Sequence, residues 1–116
     1  MIKTAAELIK EAQRQIRCLD VASARTLYEA SRNPVIIDVR EADSAAASKL
    51  NDSLNISRGL LEMKMPKICL DPNMLILTHC GGGGRASLAA LTLQEMGYTN
   101  VHAITAKFDD IKATFG

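Results

Sequence analysis

An α/β domain with a mostly parallel sheet and helices on both faces is what this sequence predicts, and three observations carry the prediction. Two short runs, the largely β-branched Val35–Val39 and the largely aliphatic Met74–Thr78, show no alternation of apolar and polar residues, the pattern of strands covered on both faces. Segments with helical periodicity alternate with them along the chain. The second run ends in four consecutive glycines, Gly81–Gly84, and an alanine- and leucine-rich stretch follows, giving the order strand, loop, helix.

Taken from the amino terminus, Thr4 with Glu7 three positions on forms a capping-box pattern, and Ala5, Leu8, Ile9, Ala12 and Ile16 then recur on one face. This predicts an amphipathic helix over residues 4–17. Asp20 is placed to cap a second helix bearing Val21, Ala24, Leu27 and Tyr28, closed by Asn33-Pro34. After the first strand, the polar, alanine-rich stretch Glu41–Leu50 reads as a short helix and a loop. Leu54–Ile56 reads as a brief strand, and Gly59–Met65 as one or two helical turns stopped by Pro66. Past the glycines, Ala86–Met96 is apolar nearly all round and so predicts a largely buried helix, with Gly97 at its carboxyl cap. Val101–Ile104 predicts another strand, and Phe108, Ile111 and Phe115 a closing amphipathic helix.

Length and composition fit this plan. A chain of 116 residues supports one domain, and 47% apolar with 23% charged residues is ordinary for a globular protein. With 3% aromatics and no tryptophan, Leu, Ile, Val, Ala and Met must fill the core. A net charge of +1 without a basic block argues against nucleic acid as a partner. No apolar run has the length of a membrane span and no secretory leader is evident, so the expected location is the cytoplasm, with no membrane partner. Three cysteines, Cys18, Cys69 and Cys80, lack CxxC spacing, which argues against a disulfide framework and a structural zinc site. No metal site is expected.

The stretch Thr78-His79-Cys80-Gly81-Gly82-Gly83-Gly84-Arg85-Ala86-Ser87 carries the functional reading. Ligands of open α/β sheets bind beyond the carboxyl ends of the strands, where Cys80 falls. The following helix begins within a few residues, so its free N–H groups and dipole favour an anion there. Glycines reach positive φ and have no Cβ to block inward-pointing amides. Gly81, Gly82, Gly83 and Gly84 are thus expected to wrap N–H donors around the Cys80 sulfur and hold a thiolate as nucleophile. Arg85 adds a fixed positive charge suited to an oxyanion, or closes the loop on its own carbonyls.

Competing glycine-loop readings are weaker. A phosphate-binding Walker loop requires Gly-Lys followed by Ser or Thr, whereas Arg85-Ala86 follows Gly84. A dinucleotide fingerprint requires an acidic residue about 20 positions on, where this chain has His102-Ala103-Ile104. A cysteine phosphatase or arsenate reductase loop would be longer than the four residues between Cys80 and Arg85, and the shorter cradle suits a single sulfur atom. Asp38 and Arg40 read as a buried structural pair, and His79, adjacent to Cys80, should point to the opposite face.

Four segments in order, Val35–Glu41, Asn55–Glu62, Cys80–Arg85 and Leu93–Val101, are similar to those of the single-domain rhodanese (sulfurtransferase) family. The resemblance implies a rhodanese-like domain over residues 20–116, preceded by an extra amphipathic helix within residues 1–19. It implies a catalytic Cys80 that takes the sulfane sulfur of a donor such as thiosulfate and passes it to an acceptor thiol, small molecule or protein, or to cyanide. No cofactor is implied beyond the covalent cysteine persulfide. Arg58, by the same resemblance, lies near the pocket rim as an anion guide. The alternative on this fold is a catalytically weak or inactive binding or regulatory module.

Overall fold

Runs of β-branched and leucine residues form the middle of the sheet because both of their faces can be buried. The computed structural model describes all residues, Met1–Gly116. Its strands are β1 (Arg17–Leu19), β2 (Val35–Asp38), β3 (Ser53–Asn55), β4 (Ile76–His79) and β5 (Val101–Ile104). They pair in parallel throughout, in the order β1-β5-β4-β2-β3, so β4 is central and buried along its whole length.

The helices are α1 (Ala5–Gln13), α2 (Val21–Ala30), α3 (Ala42–Ala47), α4 (Leu61–Ile68), α5 (Gly84–Met96) and α6 (Phe108–Phe115), with a 3-10 turn at Arg58–Leu60. The period-two alternation of the strands splits the core in two. Ile37, Ile76, Val101 and Ala103 pack with Leu61, Met65, Ala86, Ala90 and Leu93 from α4 and α5. Ile36, Leu77 and Ile104 pack on the other face with Ala24, Ile111 and Phe115 from α2 and α6. The domain is an α/β fold with helices on both faces of a parallel sheet, in which α1 lies against α5. No helix is long and apolar enough to cross a membrane.

Both predicted amino-terminal caps form. The Thr4 hydroxyl accepts from the Glu7 N–H at 3.1 Å, and the Asp20 carboxylate from the Ser23 N–H at 2.8 Å. Two expectations are corrected. The helix predicted over residues 4–17 ends at Gln13, and Arg17–Leu19 is an edge strand on β5. Three residues are too few for a periodic signal, and it is pairing with β5, remote in sequence, that makes them a strand. Pro66 does not stop its helix; α4 runs through it to Ile68. Leu61, Met65 and Cys69 are buried four residues apart on one side of α4, while Pro66 faces solvent. That burial outweighs the hydrogen bond Pro66 cannot donate, and water can reach the Glu62 carbonyl left without it.

Candidate active site

β4 delivers Cys80 to the carboxyl edge of the sheet at its centre, and α5 begins four residues later at Gly84. Between them Gly83 is the N-cap, with φ at +101°. An ideal Cβ on Gly83 would sit 3.0 Å from the Thr105 Cα, so both conformation and space demand glycine there. In this geometry the Gly83 N–H donates to the Cys80 Sγ at 3.0 Å. Of the amides expected to reach the sulfur, this is the one that does.

The neighbouring amides remain available. The N–H groups of Gly81 and Gly82 have no backbone acceptor. Gly84, Arg85 and Ala86 head the helix, and none of them bonds to the carbonyl four residues back. Unpaired donors, the positive end of the α5 dipole and a sulfur therefore converge on one loop. Cys80 itself is 2% exposed, whereas Gly81, Gly82 and Arg85 are exposed. The Arg85 side chain makes no hydrogen bond or ion pair within the chain. It lies over Gly81, where an added Cβ would be 3.6 Å from its Nη2.

The loop is anchored from below. The Phe108 N–H, at the start of α6, donates to the Gly81 carbonyl at 3.1 Å. The Phe108 ring lies under the Arg40 guanidinium, whose Cζ is 3.9 Å from the ring centroid, and stacks on His79 at 6.0 Å. Arg40 in turn grips Asp38 through Nε to Oδ1 at 3.0 Å and Nη2 to Oδ2 at 2.8 Å, and reaches the Ser48 carbonyl at 2.7 Å. Burial pushes the Asp38 carboxyl up, but the hydrogen bonds from Arg40, with the nearby His79 and Arg40 charges, more than offset this and hold it below the usual carboxylate range. The pair is structural, as its residue types suggested.

His79 is fully buried on the sheet face opposite to Cys80, and neither ring nitrogen has a hydrogen-bond partner. The alternation of the strand excludes a Cys–His dyad, as expected. Arg58 is held elsewhere: it bonds Glu62 at 3.2 Å and the Thr92 hydroxyl at 2.7 Å. Thr92 stands two turns along α5 from Arg85, about 10 Å of helix rise, so the structure does not bring Arg58 to the mouth of the loop. Cys69 lies beside a cleft of about 270 Å³ near Met96 and Tyr98, at the far end of α5. The helix separates that end from Gly84 by about 18 Å, too far for Cys69 to resolve a disulfide with Cys80. Sequence reasoning missed the Phe108 anchor, for which an isolated aromatic in an α6 amphipathic pattern gives no local signal.

Comparison with known proteins agrees with this fold. A family model described as the rhodanese-like domain matches residues 6–114. A search of curated proteins gives no match. Among solved structures, a Rhodopseudomonas palustris protein of unknown function, described as a possible tyrosine phosphatase, is 26% identical, with a TM-score of 0.81 and coverage of 100% of this chain and 94% of its own. An E. coli rhodanese with anions is 25% identical over 68% of this chain and 92% of its own, with a TM-score of 0.63. A human single-domain sulfurtransferase shares the fold at 20% identity and a TM-score of 0.70, over 80% of this chain and 92% of its own.

Proposed function

Because this chain belongs to the rhodanese-like domain family, we propose that it moves a sulfane sulfur from a donor anion such as thiosulfate to an acceptor thiol, with Cys80 as the carrier. The observation that carries this reading is the Gly83 N–H donated to the Cys80 Sγ at 3.0 Å, at the head of α5.

In the first step the Cys80 thiolate attacks the outer sulfur of thiosulfate. A sulfur–sulfur bond forms to Cys80, the bond to the sulfonate sulfur breaks, and its electron pair leaves with sulfite. In the second step an acceptor thiolate attacks the outer sulfur of the persulfide and Cys80 leaves as thiolate; cyanide would leave as thiocyanate. The negative charge sits on a sulfur at every resting point, so fixed amide donors serve both steps without rearrangement. The free amides of Gly81, Gly82, Gly84 and Arg85 are suited to the terminal persulfide sulfur. Arg85 is suited to the sulfonate end of the donor, which the spread of a guanidinium matches. With four residues between Cys80 and Arg85, the loop favours one sulfur atom over a phosphoryl group.

Intact-mass spectrometry after incubation with thiosulfate tests the reading. The protein should gain one sulfur atom, lose it on addition of cyanide or a thiol, and gain none as Cys80→Ser. A folded protein that never loads would overturn it. The near-complete burial of Cys80 favours a second reading, a binding module that keeps the loop without the chemistry. That reading predicts no loading in the wild type.

A further inference from the structure

We propose that Ser87 and Gln13 are positioning residues for the cradle, through a hydrogen-bond relay that runs from the amino-terminal helix to the carrier sulfur. The Gln13 Nε2 on α1 donates to the Ser87 Oγ at 3.1 Å. The Ser87 Oγ donates to the Gly83 carbonyl at 2.6 Å, and the Ser87 N–H reaches the same oxygen at 3.0 Å. Gly83 then presents its own N–H to the Cys80 Sγ.

The polarity of this chain is fixed by chemistry. A carbonyl only accepts, so the single proton of the fully buried Ser87 hydroxyl points at Gly83. Ser87 must therefore accept from Gln13, whose amide nitrogen is the donor. A helical serine often bonds the carbonyl four residues back, and by itself that contact orders only its own turn. Here a donor from another element, 74 positions away in sequence, occupies the acceptor side of the hydroxyl, so that side offers no acceptor that could draw its proton from Gly83. With two donors on its carbonyl and φ at +101°, Gly83 is constrained from swinging its N–H off the sulfur. The same helix seats α1 on the loop a second time: an ideal Cβ on Gly84 would lie 2.8 Å from the Ile9 Cδ1. The amino-terminal helix is thus part of the scaffold of the site.

The kinetic consequence rests on the sulfur-transfer reading, while the relay itself does not. The test compares two replacements at exposed Gln13, where folding is not at stake. Gln13→Met removes the donor and leaves the Ser87 proton on Gly83. Gln13→Glu offers a carboxylate that draws the proton away from Gly83. The readouts are the maximal rate and half-saturating thiosulfate concentration of persulfide loading by intact mass, and the Gly83 amide signal and its exchange rate by NMR.

Gln13→Glu should load about tenfold more slowly than Gln13→Met at saturating thiosulfate, the worth of one ordinary hydrogen bond. The Gly83 amide should exchange faster in the same order, and Ser87→Ala should exchange faster than wild type. Equal loading and equal Gly83 exchange in the two Gln13 variants would overturn the relay. A change confined to the half-saturating concentration would overturn it as well, because charge repulsion of the donor then explains the effect. Wild-type protein that never loads defeats the sulfur-transfer reading instead, and the exchange measurement still decides the relay.

Discussion

Gly83 holds its N–H 3.0 Å from the Cys80 sulfur in a left-handed backbone conformation, pressed against Thr105. The contact joins the carboxyl end of the central strand to the first turn of the most buried helix. It depends on one residue having no side chain. At Gly82 the glycine requirement is looser: an added Cβ there would meet nothing within 4 Å.

Gly83→Ala should therefore cost about 2 kcal/mol or more, the sum of a left-handed alanine and its clash with Thr105. Gly82→Ala should stay within about 0.5 kcal/mol of wild type. Urea unfolding midpoints measure both. Equal midpoints for the two variants would show that the loop relaxes around Gly83 and that its conformation is not locked.

Breaking the buried Asp38–Arg40 pair should be severe. Asp38→Asn leaves the Arg40 guanidinium, 8% exposed, without its counter-charge. Removing one partner of such a pair costs about 3–5 kcal/mol. Arg40→Lys should also be poorly tolerated, since an ammonium cannot hold both carboxylate oxygens, the Ser48 carbonyl and the Phe108 face together. Thermal melts of the two variants check this, and a melting temperature near wild type for Arg40→Lys would refute the fork geometry.

Stability should fall as the solution is acidified from pH 7.5 to pH 5.5. Burial holds the His79 imidazole below its ordinary range, against the pull of Asp38 and with a further push from Arg40. Burial and the Arg17 charge do the same to His102. Below about pH 6.5 the unfolded chain takes up protons that these native histidines refuse, so the unfolded state gains. The slope is at most about 1.4 kcal/mol per pH unit for each histidine. Urea midpoints across that range should fall in the wild type and fall less in His79→Phe. An unchanged slope in the variant would remove His79 from this account.

Pro66→Ala should stabilise the protein. Alanine restores an N–H at an exposed position inside α4 and relieves the ring against the preceding turn. The gain should be about 1 kcal/mol, less than the full helix-interior penalty because proline also restricts the unfolded chain. A lower melting temperature would mean that α4 needs the distortion Pro66 imposes.

Periodicity made most of the architecture readable. Val35–Val39 and Met74–Thr78 are runs largely of β-branched and aliphatic residues without alternation, and the ends of strands β2 and β4 lie within two residues of theirs. Strand β1 was not readable, because Arg17-Cys18-Leu19 is a strand only through its pairing with Arg17↔His102 to Leu19↔Ile104. Pro66 misled for a related reason: local backbone chemistry said stop, and tertiary burial of Met65 and Cys69 said continue. At the site, Cys80, the glycines and Arg85 were legible because they are contiguous. Gln13 and Phe108 were not, since they reach the loop from helices at opposite ends of the chain. Arg58 looked like a rim charge until its partners Glu62 and Thr92 were seen.

Arg85 gives the most direct separation of binding from folding. Its side chain is exposed and bonded to nothing in the chain, so Arg85→Ala should leave the urea midpoint within about 0.5 kcal/mol of wild type. If it holds the sulfonate end of thiosulfate, the loss of a charge-assisted hydrogen bond worth about 1.5–3 kcal/mol should raise the half-saturating concentration at least tenfold. The maximal rate of persulfide loading should change much less, because the amides around Cys80 stay in place. Lysine should restore part of the affinity through its charge, and glutamine almost none. A large stability loss in Arg85→Ala would instead assign the guanidinium to bracing the loop over Gly81, and a normal half-saturating concentration would exclude it from the donor site.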